Sequence, residues 1–205
     1  MLGLKRRQSK INKSTEQVRI LRSNLEKQLE DNTSHRLMIT SPKGRSPHVY
    51  VSSHLAVSFA EQGKNVLLVD ADIRNPSLHK YFSIPNTKGF IDVVLNGDNL
   101  FQVRNHYMKR LSILTAGNLS NPVEELWIRK KVQDAVEAWK DQFDLVLFHA
   151  PSYLEFSDAQ VLVDQCDGVL LVVQSGKTKL KDTEATKKQI DRSKKPILGV
   201  IYQKD

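Results

Sequence analysis

The run Val66-Leu67-Leu68-Val69 leading into Asp70-Ala71-Asp72 limits the fold more than any other part of the chain. Four consecutive apolar residues are too few for a buried helix and too continuous for a strand with one wet face. They predict a central parallel strand covered on both sides. Parallel sheets carry their chemistry at the carboxyl ends of the strands, where Asp70 and Asp72 stand. Side chains alternate along an extended backbone, so the two carboxylates are expected on one side, near enough to hold a metal-bound water or accept a proton. A polar turn closing a buried strand is the plainer account of the same residues. The segment continues Ile73-Arg74-Asn75-Pro76, which sets a cation beside the carboxylates.

The neighbouring segments read as the rest of an α/β unit. Arg36 to Ser41 (RLMITS) predicts a strand, followed by the loop Pro42-Lys43-Gly44-Arg45-Ser46-Pro47 and a helix from His48 to Gln62. That helix puts Val51, Leu55 and Phe59 on one face beside small Ser52, Ala56 and Ala60, as close packing on a sheet demands. Gly63 ends it, and strand, loop, helix and acid-tipped strand form a βαβ unit. Downstream, the pattern predicts a short helix over Phe90 to Leu95 stopped by Asn96-Gly97, and a strand over Leu111 to Thr115. A helix is expected from Asn121-Pro122 to about Gln142, then an apolar strand over Leu145 to Phe148 and a helix over Ser157 to Gln165. Val169 to Val173 is a third apolar strand, Asp182 to Arg192 a polar helix and Ile197 to Ile201 a closing strand. This alternation predicts an α/β fold with a doubly wound, mostly parallel sheet and helices on both faces.

Upstream, Ser14-Thr15-Glu16-Gln17 reads as a capping box that opens a helix to about Asp31, with Val18, Leu21, Leu25 and Leu29 as its apolar stripe. Glu16, Arg19, Arg22, Ser23 and Glu26 share another face, spaced to pair along the helix or across to a neighbouring subunit. Lys5, Arg6, Arg7, Lys10 and Lys13 make residues 1–13 a basic arm, and the formal net charge is +8. The arm reads as a solvated tail, while the excess charge permits an acidic partner. The expected division is therefore the arm over 1–13 and one domain over 14–205 that includes the 14–31 helix. Cys166 is the single cysteine, which excludes an internal disulfide or cysteine-cluster metal site and fits a reducing cytoplasm. No apolar run approaches the about 20 residues of a membrane helix, so membrane association is expected only through a partner or the arm.

Taken together, these pieces resemble the cytoplasmic bacterial tyrosine kinases of capsule and exopolysaccharide operons, a branch of the P-loop ATPases. The similarity runs from about Glu16 to Tyr202. Glu16, Arg19, Arg22 and Asn24 (E-x-x-R-x-x-R-x-N) resemble the family's N-terminal oligomerisation motif, and Thr40-Ser41 opens its nucleotide loop. Leu55 to Pro76, with Asp70, Asp72 and Arg74, matches the stretch around the second acidic motif. The end of the strand at Gly117, the segment Asn121 to Leu126, and Ser157-Asp158-Ala159 leading into Asp167-Gly168 continue the match in order. Family members of this form work beside a membrane-embedded chain-length adaptor whose cytoplasmic tail docks on them. The resemblance therefore implies such an adaptor, an intact kinase paralogue or a second copy of the chain as partner.

The departures fall on the nucleotide chemistry. Counting without gaps from Thr40-Ser41 to Leu55-Ala56, His48 stands at the P-loop lysine position and Val49-Tyr50 at the Ser/Thr pair. Arg45 and Pro47 replace glycines, and Gly44 alone remains, one place early. The second metal-anchoring strand runs into His149-Ala150-Pro151 where the family has a carboxylate. Proline lacks one N–H of a cradle that works by N–H donation, and valine offers no oxygen to Mg²⁺. Histidine is shorter than lysine and mostly neutral at pH 7. Asp70 and Asp72 persist, as retained catalytic carboxylates or as caps that pair with Arg45 or His48. The lone Tyr202, read as packing at a strand end, replaces the C-terminal tyrosine cluster of active members.

The expected function is accordingly a catalytically degenerate kinase-like subunit of polysaccharide synthesis and export, acting through protein binding. No cofactor is expected. A weakly active autokinase using ATP and Mg²⁺ is the alternative. His48 and His149 facing one crevice suggest a zinc pair, but no third ligand is evident. The basic arm admits a partition-type nucleic-acid-binding protein as a third, less favoured reading, but no helix-turn-helix, zinc finger or aromatic-interleaved basic patch is visible, so no nucleic-acid partner is expected.

Overall fold

The computed structural model describes residues 15–29, 33–44, 48–118 and 127–204. The basic arm, Ser14, Asp31, Arg45, Pro47 and the expected helix start at Asn121 lie outside them. Helix α1 covers 15–26, β1 His35–Thr40, α2 His48–Glu61, β2 Val66–Asp70, α3 Leu78–Phe82, α4 Phe90–Asn96 and α5 Leu100–Val103. There follow β3 Asn105–Met108, β4 Leu111–Leu114, α6 Arg129–Glu137, β5 Leu145–His149, α7 Ser157–Val163, β6 Gly168–Gln174, α8 Leu180–Arg192 and β7 Ile197–Gln203.

The apolar runs become the middle of a single seven-stranded sheet, in the order β3-β4-β2-β5-β1-β6-β7. Every pairing is parallel except β3 on β4. All five residues of β2 are buried, because alternate residues serve two cores. Leu67 and Val69 join Met38, Phe90, Trp139 and Phe148 beneath α4, α6, α7 and α8. Val66 and Leu68 join Leu37, Leu55, Phe59 and Leu147 beneath α1, α2 and α3. Leu25 of α1 is fully buried in that second core, with Val18, Leu21 and Leu29 packed against it. Each such Val or Leu contributes about 1.5–3 kcal/mol relative to exposure. No helix among the described residues is long and apolar enough to cross a membrane.

Of the helix expected over 121–142, the described part, from Trp127 on, is helical over Arg129–Glu137. Ile128 is extended, at φ −64° and ψ 111°, so Trp127 turns into the core and Ile128 into solvent. A continuous helix would put Ile128 on the stripe of Val132, Val136 and Trp139 instead. Breaking the helix buries the larger indole, whose ring centroid lies 6.0 Å from that of Phe90. Tyr202 also differs from the expected packing role: it is 59% exposed, and its hydroxyl donates to Ser175 Oγ at 2.8 Å. Strand β3 and helices α3 and α5 had no apolar period to announce them.

Candidate functional site

The carboxyl ends of β1, β2 and β5 open into a crevice of about 640 Å³ whose walls include Gly44, His48, Val49, Asp72, Arg74, Ser77, Lys80, His149 and Glu155. The sheet order explains the gathering, since β1 and β2 both pair with β5 and all three run parallel. Residues distant in sequence therefore end at one level. Backbone bonds tie the rim together: Ala150 N donates to Ile39 O at 3.0 Å and Tyr153 N to Ser41 O at 2.8 Å. Thr40 Oγ1 donates to Pro151 O at 2.6 Å.

His48 is the first residue of α2 and is only 3% exposed. Its Nε2 lies 2.9 Å from Ala150 O. A carbonyl only accepts, so Nε2 carries the proton and the neutral ring leaves Nδ1 bare. That Nδ1 is buried with no hydrogen-bond partner among the described residues. The His149 ring lies 4.3 Å from the His48 ring, centroid to centroid. Ser52 Oγ donates to backbone oxygen of α2 (His48 O, 2.9 Å). Its lone pair is left for His149 Nδ1–H at 3.2 Å. His149 Nε2 then accepts from Ser77 Oγ at 3.0 Å. Burial pushes His48 down to about 4, and burial followed by repulsion from His48 holds His149 well below its ordinary value. Both rings are neutral at pH 7. Among the described residues, no group of three His, Cys, Asp or Glu side chains could hold a metal ion.

The two carboxylates part company instead of sharing one side. Ala71 N and Asp72 N both donate to His149 O, at 2.9 and 3.1 Å, so the chain curls after β2 and the strand alternation stops. Asp70 is fully buried and its Oδ2 accepts from Ser77 N at 2.8 Å and Leu78 N at 2.9 Å, capping the start of α3. Burial lifts its carboxyl to about 7. Asp72 faces the crevice and accepts from Asn75 N at 3.0 Å, and burial raises it too. The expected partner His48 bonds Ala150 O rather than Asp70. Arg74 donates from Nε to the buried Asp158 at 2.7 Å and lies 5.1 Å over the Phe156 ring.

Four contributors to the site, Glu155, Ser152, Ser52 and Ser77, were not legible in the sequence. Gly44, at φ 77°, donates its N–H to Glu155 Oε2 at 2.8 Å, and Ser152 Oγ donates to Gly44 O at 2.7 Å. The loop glycine thus already holds a carboxylate of its own chain. Ser52 and Ser77 complete the set by fixing the His149 tautomer. The residues expected at an interface lie on α1, and none of them lines the crevice. Glu16 and Arg19 form an exposed pair at 3.6 Å and Asn24 is exposed, whereas the Arg22 side chain is 14% exposed and bonds Glu26 at 2.8 Å.

The profile of the family described as cellulose biosynthesis protein BcsQ matches residues 35–185. The tyrosine-protein kinase YwqD of Bacillus subtilis is 36% identical over 193 residues, which cover 92% of this chain and 80% of that kinase. The chain belongs to the bacterial tyrosine kinase family. Among solved structures, the kinase domain of Escherichia coli tyrosine kinase ETK is similar at TM-score 0.86 and 29% identity, covering 92% of this chain and 74% of that one. The chimerical protein CapA2B2 is similar at TM-score 0.82 and 25% identity, covering 91% of this chain and 83% of that one. The bacterial tyrosine kinase fold is therefore the frame in which the crevice stands. Its chemistry rests on the side chains described above.

Proposed function

We propose that this chain is a kinase-fold subunit of a polysaccharide biosynthesis system that has lost nucleotide handling and works by binding another protein. The observation that carries this reading is His48. At the position where the family fold aims a lysine at phosphate, the imidazole is buried, neutral and bonded through its N–H to Ala150 O. Val49 offers Mg²⁺ no oxygen, and both His149 nitrogens are engaged by serines. These residues do not fit a magnesium nucleotide, since phosphoryl transfer depends almost wholly on positioned charge. The family description as a cellulose biosynthesis protein supports the polysaccharide setting. The partner we favour is a membrane-embedded chain-length adaptor, with an intact kinase paralogue or a second copy meeting the α1 face.

Calorimetric titration with Mg²⁺-ATP tests the reading. No saturable heat is expected in the micromolar range; micromolar affinity that requires magnesium would overturn it. A weakly active autokinase is the second reading, favoured by Asp72 and Lys80, a carboxylate and a cation on the crevice wall. It predicts ATP-dependent phosphate incorporation that Asp72→Asn abolishes.

A further inference from the structure

Five rings from three separate segments meet in a continuous ladder on the surface. Tyr50 stacks on His54 at 4.1 Å between centroids, and His54 meets Tyr81 edge-on at 6.3 Å. Tyr81 meets Phe82 at 5.2 Å, and Phe82 meets Tyr107 at 4.6 Å. Tyr81 and Tyr107 remain 40% and 49% exposed, so the ladder presents ring surface and hydroxyls to solvent. It begins at the crevice rim, beside Val49 and Lys80, and ends on β3. Among the described residues β3 pairs with β4 alone, so its outer backbone edge is open.

The chemistry of this face is one-sided. Over 48–60, 73–91 and 99–118 the chain has no Asp or Glu and supplies Lys80, Lys109 and Arg110, with Glu61 at the end of α2 the one acid on the helix of Tyr50 and His54. The Tyr81 phenol is pushed up by burial and by the nearby phenols of Tyr50 and Tyr107. The hydroxyls of Tyr50, Tyr81 and Tyr107 are hydrogen-bond donors close to one another, a set that suits carboxylates. Half-buried rings that already pack edge to face leave no slots for successive bases, and an open strand edge serves a polypeptide rather than a nucleic acid.

We propose that the ladder Tyr50-His54-Tyr81-Phe82-Tyr107 and the free edge of β3 dock an extended, acidic, aromatic-bearing segment of a partner protein. The segment adds a strand to β3, lays its aromatic side chain against the exposed Tyr81 and Tyr107 rings and offers carboxylates to their hydroxyls. This rests on the reading that the chain acts by binding, but it is tested away from the nucleotide crevice. Micromolar Mg²⁺-ATP binding would therefore refute that reading and leave this one to stand or fall by itself.

The test is fluorescence titration with labelled poly(Glu,Tyr) copolymer, beside polyglutamate and oligothymidylate. The double variant Tyr81→Phe with Tyr107→Phe keeps both rings and the fold and removes the two exposed hydroxyls. Poly(Glu,Tyr) is expected to bind more tightly than polyglutamate, to weaken about tenfold in that variant, and to slow hydrogen exchange at the amides of β3. Absence of binding, or binding indifferent to the variant and without β3 protection, overturns the proposal. Oligothymidylate binding as tightly, with the same sensitivity, overturns it in favour of single-stranded nucleic acid.

Discussion

Acidification should destabilise this protein through a histidine that the fold keeps from charging. His48 is 3% exposed, and burial lowers its imidazole from the ordinary 6.5 to about 4. Below pH 6.5 the unfolded chain takes up a proton on His48 that the folded chain refuses. The contribution is thus complete above pH 6.5 and is lost as pH falls toward 4, with a span of about 3 kcal/mol. At pH 5 about 2 kcal/mol of it should be gone. His149, also held low by burial, adds a loss of the same sign in the same window. Asp70 works in the opposite direction. Its carboxyl is raised from 3.8 to about 7, so the folded state holds a proton that the unfolded chain has released, and the resulting stability is lost as pH rises through 7. Asp72, raised by burial as well, acts in the same direction as Asp70, so the histidine contribution is read from a variant rather than from the parent's net pH dependence. The informative variant is His48→Gln, whose amide can still donate to Ala150 O and which also relieves the repulsion on His149. Urea unfolding at a series of pH values should show the variant losing about 2 kcal/mol less than the parent between pH 7 and 5. Parallel profiles for the two proteins would refute the reasoning.

Arg74→Ala should strand the Asp158 carboxylate, whose side chain is 2% exposed, and cost about 2 kcal/mol after allowing for the partly exposed arginine; an unchanged melting temperature would contradict this. Gly89→Ala should cost about 3 kcal/mol. The added Cβ would stand 2.1 Å from Thr115 O and 2.4 Å from Gly117 N, both backbone atoms, and thermal denaturation reads the loss directly. Arg19→Ala should weaken self-association or adaptor binding in light scattering without unfolding the domain, because its exposed pair with Glu16 contributes only about 0–1 kcal/mol. A parent protein that is monomeric both alone and mixed with its adaptor or kinase paralogue would remove the basis for an α1 interface.

What the sequence determined by itself is what depends on near neighbours. The buried β2, the packing face of α2, the stop at Gly97 and the α/β alternation all follow from periods of a few residues. The ordered motifs pointed to the bacterial tyrosine kinases for the same reason, since each is a short run. The expectation that His48 and Val49 depart from a phosphate cradle also came from the chain alone. The chain did not show where His48 would turn, because Ala150 O comes from the end of β5, 102 residues further along the chain. Nor could it separate Asp70 from Asp72: strand alternation was the right local rule, and it ended when His149 O accepted two successive amides. The exchange of Trp127 for Ile128 likewise answers to core volume rather than helical period. The aromatic face is invisible along the chain, since its rings come from three segments, each with too few aromatics to attract notice. Only the packing of α3 and β3 beside α2 makes them one surface. Such features are set by through-space contact between residues far apart in sequence, and local propensity carries no record of them.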